Sequence, residues 1–250
     1  MHLALGFALG LALGLTGAGG AIIAVPLLIF ALQLPAQEAM GISLGAVSAA
    51  AMVGVWLRRR QQPPLWRAAA GLAVTGMLFS PVGRWLSYRL DEQLLVVLFS
   101  TLALVLAVRM WRSAGSPTAD PDADQAISLN MPVFLLAGCA LGLLSGLFGV
   151  GGGFLIVPFL TLYAGLSIER AISTSLLVIG LVGITGYAYH IFTTRMDDVS
   201  LLSYIAVGSM LGIFAGNAIG ARLPAQRLQQ VFSVFVILVT LQLLYRTFTT

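Results

Sequence analysis

Two stretches of this chain carry residue types that could hold a charge: Thr16-Gly17-Ala18-Gly19-Gly20, and Ser145-Gly146 onward to Gly149-Val150-Gly151-Gly152-Gly153. Both interrupt long apolar runs, and both are followed by the same pair, Val25-Pro26 and Val157-Pro158. Glycine loses most backbone entropy in a helix and proline removes a donor, so each run is expected as two helical pieces with a loose joint. A helix that restarts inside protein leaves its first amide N–H groups unpaired and carries about half a positive charge there. The chemistry on offer is anion binding by the backbone at Gly17, Gly19, Gly20, Gly149, Gly151 and Gly152. The side chains that could complete such a site are hydroxyls and an amide: Thr16 and Ser145 beside the breaks, Ser43, Ser173, Thr174 and Ser175 further on, and Asn217. Each hydroxyl has a competing use, a bond back to its own helix. Asn217 is the stronger candidate, because a buried amide needs several partners. Arg84 falls near Asn217 when the chain is slid by 133 residues. It reads either as an anion ligand or as an interface arginine whose head snorkels outward.

Other chemistries find little to work with. His2 and His190 are far apart, Cys139 is alone, and no Cys/His cluster has metal spacing, so no metal, no cofactor and no enzymatic centre is expected. The nine acidic residues fall in loops or at span ends, and the membrane core is expected to lack a group able to carry a proton. Glu38, Glu169 and His190 are the only groups near enough to nominate if transport needs one. Gly149-x-Gly151-x-x-Phe154 does not complete a dinucleotide fingerprint, and no Gly-Lys-Ser/Thr follows.

The elements that position these residues form a duplication. At an offset of 132, Gly6, Gly10, Gly14, Gly17, Gly19 and Gly20 fall on Gly138, Gly142, Gly146, Gly149, Gly151 and Gly152, and 14 of 26 positions between Leu3 and Leu28 are identical. Hydrophobic residues are 59% of the chain and charged ones 9%, which places it among membrane proteins. The expected fold is all-α and polytopic, with about eight hydrophobic segments: 3–33, 40–57, 66–85, 93–111, 131–163, 171–192, 201–220 and 228–245. The halves are residues 1–112 and 131–250, joined by a polar linker, 113–130, that carries two prolines and three aspartates.

The 13 basic residues are all arginine and gather at span ends, with the four tryptophans beside them, a pattern of interface anchoring and not of nucleic-acid binding. Arg58-Arg59-Arg60 marks its loop as cytoplasmic, in a multi-pass protein of the cell inner membrane. If each broken segment crosses the bilayer the halves are parallel; if it dips and returns they are inverted. Counting arginines gives eight inside for the first and nine for the second, which does not decide between them. Broken helices paired across inverted repeats are a recurrent transporter plan, and the inverted form is the expectation. Glycine stripes pack helices within one subunit or between two, so a homo-oligomer stays open.

The doubled glycine run ending in Val-Pro, the steps Ala39/Ser43 and Ala171/Ser175, and Arg195-Met196-Asp197 together resemble the signature of the sulfite exporter TauE/SafE family of membrane permeases. The first copy departs from it at Ala21, where the second has Gly153, and at Arg84, where a small or amide residue would be expected. The resemblance implies a small anionic substrate: sulfite, sulfonates or related organic anions. A potential-driven exporter, with both breaks at one midplane site, is the resulting expectation. A membrane scaffold or assembly factor without transport is the competing reading, and it predicts that the glycine joints tolerate alanine with no loss beyond packing.

Overall fold

The computed structural model describes residues 1–17, 19–60, 62–113, 130–149, 153–193 and 199–220, with scattered positions between 230 and 245. Every described element through residue 220 is a helix: α1 His2–Thr16, α2 Gly19–Leu32, α3 Ala36–Arg58, α4 Trp66–Ser87, α5 Glu92–Ser113, α6 Met131–Phe148, α7 Gly153–Leu162, α8 Ile168–Thr193 and α9 Val199–Gly220. Four of these stretches, Ala36–Arg58, Met131–Phe148, Glu169–Thr193 and Ser200–Gly220, are long and apolar enough to cross a membrane. Most of the linker, Arg195-Met196-Asp197 and most of the last expected span lie outside the described residues.

Both long apolar runs break at the expected places. α1 stops at Gly17 (φ 70°), whose N–H bonds to the carbonyl of Leu13, and α6 stops at Gly149 (φ 68°), whose N–H bonds to that of Ser145. Only glycine adopts this left-handed cap without a Cβ penalty. Pro26 does not break α2; it sits within it, as Pro81 sits within α4. The span expected from Met40 begins instead at Ala36, directly after Pro35, because proline's fixed φ leads into a helix as readily as it interrupts one.

The glycine ladders set the packing. A methyl group on Gly6, Gly10 or Gly14 of α1 would fall on the backbone of Ile205, Ser209 or Ile213 of α9. On Gly138, Gly142 or Gly146 of α6 it would fall on Leu72, Gly76 or Ser80 of α4. Residue numbers rise together in each pair, so α1 runs parallel to α9 and α6 parallel to α4. Each half thus lends its opening helix to a helix of the other half.

α3 and α8 form the buried centre and run the opposite way to each other. Gly41 faces His190, Ser48 faces Gly183, Met52 faces Gly180 and Gly54 faces Leu176, so numbers rise along α3 as they fall along α8. α4 lies beside α8 and α9 beside α3, again in matching fashion. α2 folds back on α1, bringing Gly20 against Leu9 and Leu13.

Candidate functional site

Antiparallel α3 and α8 carry the two breaks to opposite ends of the bundle. Gly149 packs on Met40, near the start of α3, and Gly17 packs on Ile172, near the start of α8. From Gly41 to Arg58 is roughly 25 Å along α3 at 1.5 Å per residue. The two restarts therefore do not face one anion at the midplane, as the sequence reading expected. Each heads its own set of residues.

At the Gly17 end, Thr16 Oγ1 donates to the carbonyl of Ala12 at 2.9 Å, its own helix. Gly19 and Gly20 open α2, with Gly20 buried. Asn217 is half-buried, its backbone N–H region pressed on Gly14. Arg58 donates from Nη2 to the carbonyl of Gly14 at 3.1 Å, and Glu169 acts on it electrostatically. Ser175, one turn beyond Ile172, is fully buried. Its neighbours bond locally: Ser173 Oγ donates to the carbonyl of Glu169 at 3.2 Å. Thr174 Oγ1 donates to that of Arg170 at 2.7 Å and accepts from the Leu65 N–H at 3.0 Å.

At the Gly149 end, Ser145 and Ser43 are fully buried and their hydroxyls find no partner among the described residues. The bond back to the helix that explains Thr16 does not explain these two. Gly151 and Gly152 lie outside the described residues. Arg84 is here, and it is 0% exposed, which overturns the snorkelling reading. α3, α4 and α8 close around it: Nη2 donates to the carbonyl of Gln37 at 2.5 Å, to Tyr88 Oη at 3.2 Å and to His190 Nδ1 at 3.0 Å. Nη1 donates to Ser87 Oγ at 3.3 Å, and Nε has no acceptor among the described residues. The guanidinium also lies 4.7 Å from the centroid of the Tyr88 ring.

His190 corrects a second expectation. It is 2% exposed and lies within the central helix pair, so the core does hold a histidine. Tyr88 Oη lies 2.7 Å from the same Nδ1 that receives the arginine proton. Arginine can only donate, so Nδ1 is unprotonated and the ring is the neutral Nε2–H tautomer. Its Nε2 edge rests against Gly41, where a side chain would collide with it.

Gln37, Ser80 and Tyr88 are the participants that sequence reasoning missed. The signal was in the repeat. Sliding by 132 or 133 residues pairs Gln37 with Glu169, His190 with Arg58 and Arg84 with Asn217. Arg58 at one end and Arg84 at the other are thus contributed by different helices of the repeat, α3 and α4.

A bundle built from spanning helices and two broken ones is that of a multi-pass membrane protein, and its relatives make it a membrane transporter. A "Probable membrane transporter protein" of Xylella fastidiosa (strain 9a5c) is 33% identical over 246 residues, covering 95% of this chain and 92% of that protein. One of the same name from Haemophilus influenzae is 30% identical over 253 residues, covering 94% and 93%. The "Probable membrane transporter protein YdhB" of Bacillus subtilis is 28% identical over 213 residues, covering 84% and 85%. The profile described as "Sulfite exporter TauE/SafE" matches residues 2–243, and the chain belongs to that family. No solved structure matches it significantly.

Proposed function

We propose that this protein is an inner-membrane permease for small anions, exporting sulfite, sulfonates or related sulfur-containing or organic anions under the membrane potential. The observation that carries the reading is the paired set of helix contacts about the antiparallel α3 and α8. Among the described helices, α1 and α6, α3 and α8, and α4 and α9 are equivalent at the repeat offset and run oppositely, which supports an inverted pairing of halves 1–112 and 131–250 that each open with a broken helix. Inverted repeats with discontinuous helices are the plan of many secondary transporters, in which one half rocks against the other. The arginines support the same orientation. Arg58, Arg59, Arg60, Arg67, Arg109, Arg112 and Arg170 stand where α3 and α5 finish and α4 and α8 begin, whereas Arg84 and Arg89 stand at the other end. By the positive-inside rule this distribution supports a cytoplasmic Arg58–Arg60 loop and 113–130 linker.

The family description supplies the substrate class, and the two breaks supply candidate stations at the two ends. Thr16, Gly17, Gly19, Gly20, Ser175 and Asn217 serve one; Ser43, Ser145, Gly149, Gly151 and Gly152 serve the other. With the inside negative, a monovalent anion leaving the cell gains about 2.3 kcal/mol per 100 mV, so export needs no second ion. The test is sulfite efflux from liposomes holding the purified protein, with equal pH on both sides and a potential of either sign. Efflux that follows the potential is the expected result. Flux that requires a pH gradient would replace the uncoupled mechanism with a proton-linked one, and absence of flux for sulfite, sulfonates and organic acids would overturn the permease reading.

A further inference from the structure

We propose that Arg84 is the principal anion ligand of this protein, forming a one-sided oxyanion site at the end of the bundle where α4, α6 and α8 finish. The inference rests on the permease reading and gives its site a location and a charge.

Arg84 is a permanent cation, fully buried, and all four of its hydrogen-bond partners are neutral. Buried charges are otherwise paired or they coordinate an ion. His190 cannot supply the missing negative charge, since an imidazole is neutral or positive, and its Nδ1 accepts hydrogen bonds from Arg84 and Tyr88. Glu38, on the first turn of α3, is half-buried and forms no bond with the guanidinium. That turn is the positive end of a 23-residue helix, capped by Pro35 without a side-chain bond, and it adds to the local positive potential. The last turns of α4 and α8 temper this potential with partial negative charge but bring no carboxylate.

The opposite end is built differently. There Arg58, only half-buried, donates to the carbonyl of Gly14, and the position equivalent to Gln37 is the exposed Glu169, whose charge acts on Arg58. Gln37 is thus an amide where the repeat elsewhere has a carboxylate, and Arg84 is a fully buried cation with no carboxylate among its described partners. Donors for an oxyanion are at hand. Arg84 Nε–H has no acceptor among the described residues. One turn earlier on α4, the buried Ser80 hydroxyl faces α8 at Gly186 and also lacks one. Ser145, equally unpaired, is next to Gly146, which packs on the backbone of Ser80 and Arg84. Donors from a guanidinium and two hydroxyls, beside a permanent positive charge, suit a compact oxyanion and reject a cation.

The experiment titrates sulfite into the purified full-length protein in nanodiscs, by calorimetry and thermal melting, beside the liposome flux assay. The decisive variant is Gln37→Glu, which puts a carboxylate on the residue whose backbone carbonyl accepts from Arg84, in place of an amide whose Nε2 donates to the Ser87 carbonyl at 3.4 Å. It is expected to remain folded, with at most the small loss in melting temperature that the missing Gln37–Ser87 bond brings, while losing sulfite affinity by roughly ten- to a hundredfold. Arg84→Gln is expected to lose affinity at least as far, and Glu169→Gln, at the other end, to keep it. If Gln37→Glu binds sulfite as tightly as the parent, Arg84 is a structural cation and the inference is overturned, while flux in the parent would leave the permease reading standing. If the parent binds sulfite through Arg84 but carries none across the liposome membrane, the site stands and the permease reading falls.

Discussion

The Gly41 position holds the buried cation in place at one remove. Its missing side chain leaves room for the His190 ring, and the ring's Nδ1 accepts from Arg84 and Tyr88. Gly41→Ala is therefore expected to displace the ring and cost about 1–3 kcal/mol, the usual range for overpacking. Gly45→Ala, whose new methyl would meet only side-chain atoms of Leu202 and Tyr187 at 3.0 Å, is the milder control, and thermal melting of the two variants compares them. The hydroxyls divide along similar lines. Ser43→Ala and Ser145→Ala remove buried groups without a partner among the described residues and are expected to leave the melting temperature level or raised, yet to slow anion flux. Thr174→Ala removes the acceptor of the Leu65 N–H, and is expected to cost about 1 kcal/mol with flux unchanged. Flux intact in both serine variants would remove them from the anion path. At this scale the sequence was only partly legible. It named Ser43 and Ser145, but it could not separate them from Thr16, because whether a helical hydroxyl finds its own carbonyl depends on rotamer and neighbours. It read Arg84 in two ways, since composition near a span end is the same whether the head escapes to water or three helices close over it.

At the scale of elements, the two glycine ladders do the positioning, and their cost is measurable. Gly10→Ala would drive a methyl into the Ser209 carbonyl and Gly142→Ala one into Gly76, both backbone atoms that cannot turn aside. Each substitution is expected to lower stability by about 1–3 kcal/mol or to separate α1 from α9, or α6 from α4. Gly165→Ala gives the opposite control: nothing lies within 4 Å, and only its φ of 66° opposes a side chain, at about 1–2 kcal/mol. Melting curves in detergent, with the two ladder variants no less stable than the parent, would show that the helices pack otherwise. These elements were the most legible part of the chain. A stripe of glycines at helical spacing dictates close backbone approach, and Gly17 and Gly149 end their helices as glycine caps do. The partners were not legible, because a stripe says that a second backbone comes near without saying which. That α1 pairs with α9, and not with a helix of its own half, follows from the closing of the whole bundle.

At the scale of the molecule, the question is whether the halves lie in the membrane in opposite senses, and two loop residues can decide it. Gln33, between α2 and α3, and Gly165, between α7 and α8, are equivalent at the repeat offset of 132. They share an unusual backbone: Gln33 has φ 54° and Gly165 φ 66°. In parallel halves the two would emerge on the same face of the membrane. Here Gln33 precedes the start of α3 and Gly165 the start of α8, and those helices are antiparallel. In a Cys139→Ser background, Gln33→Cys is therefore expected to react with a membrane-impermeant maleimide in intact cells, and Gly165→Cys only after the membrane is opened. Arg60→Cys should follow Gly165→Cys, because α3 ends where α8 begins. The same experiment fixes the sense of the buried charge. Arg84 lies on the Gln33 side, so external labelling of Gln33→Cys would put the buried cation near the outer face, where it would hold an outgoing anion last before release. Labelling of Gln33→Cys and Gly165→Cys from one face would break the inverted reading and the rocking mechanism with it, since the two halves would then lack the relation that lets one exchange places with the other.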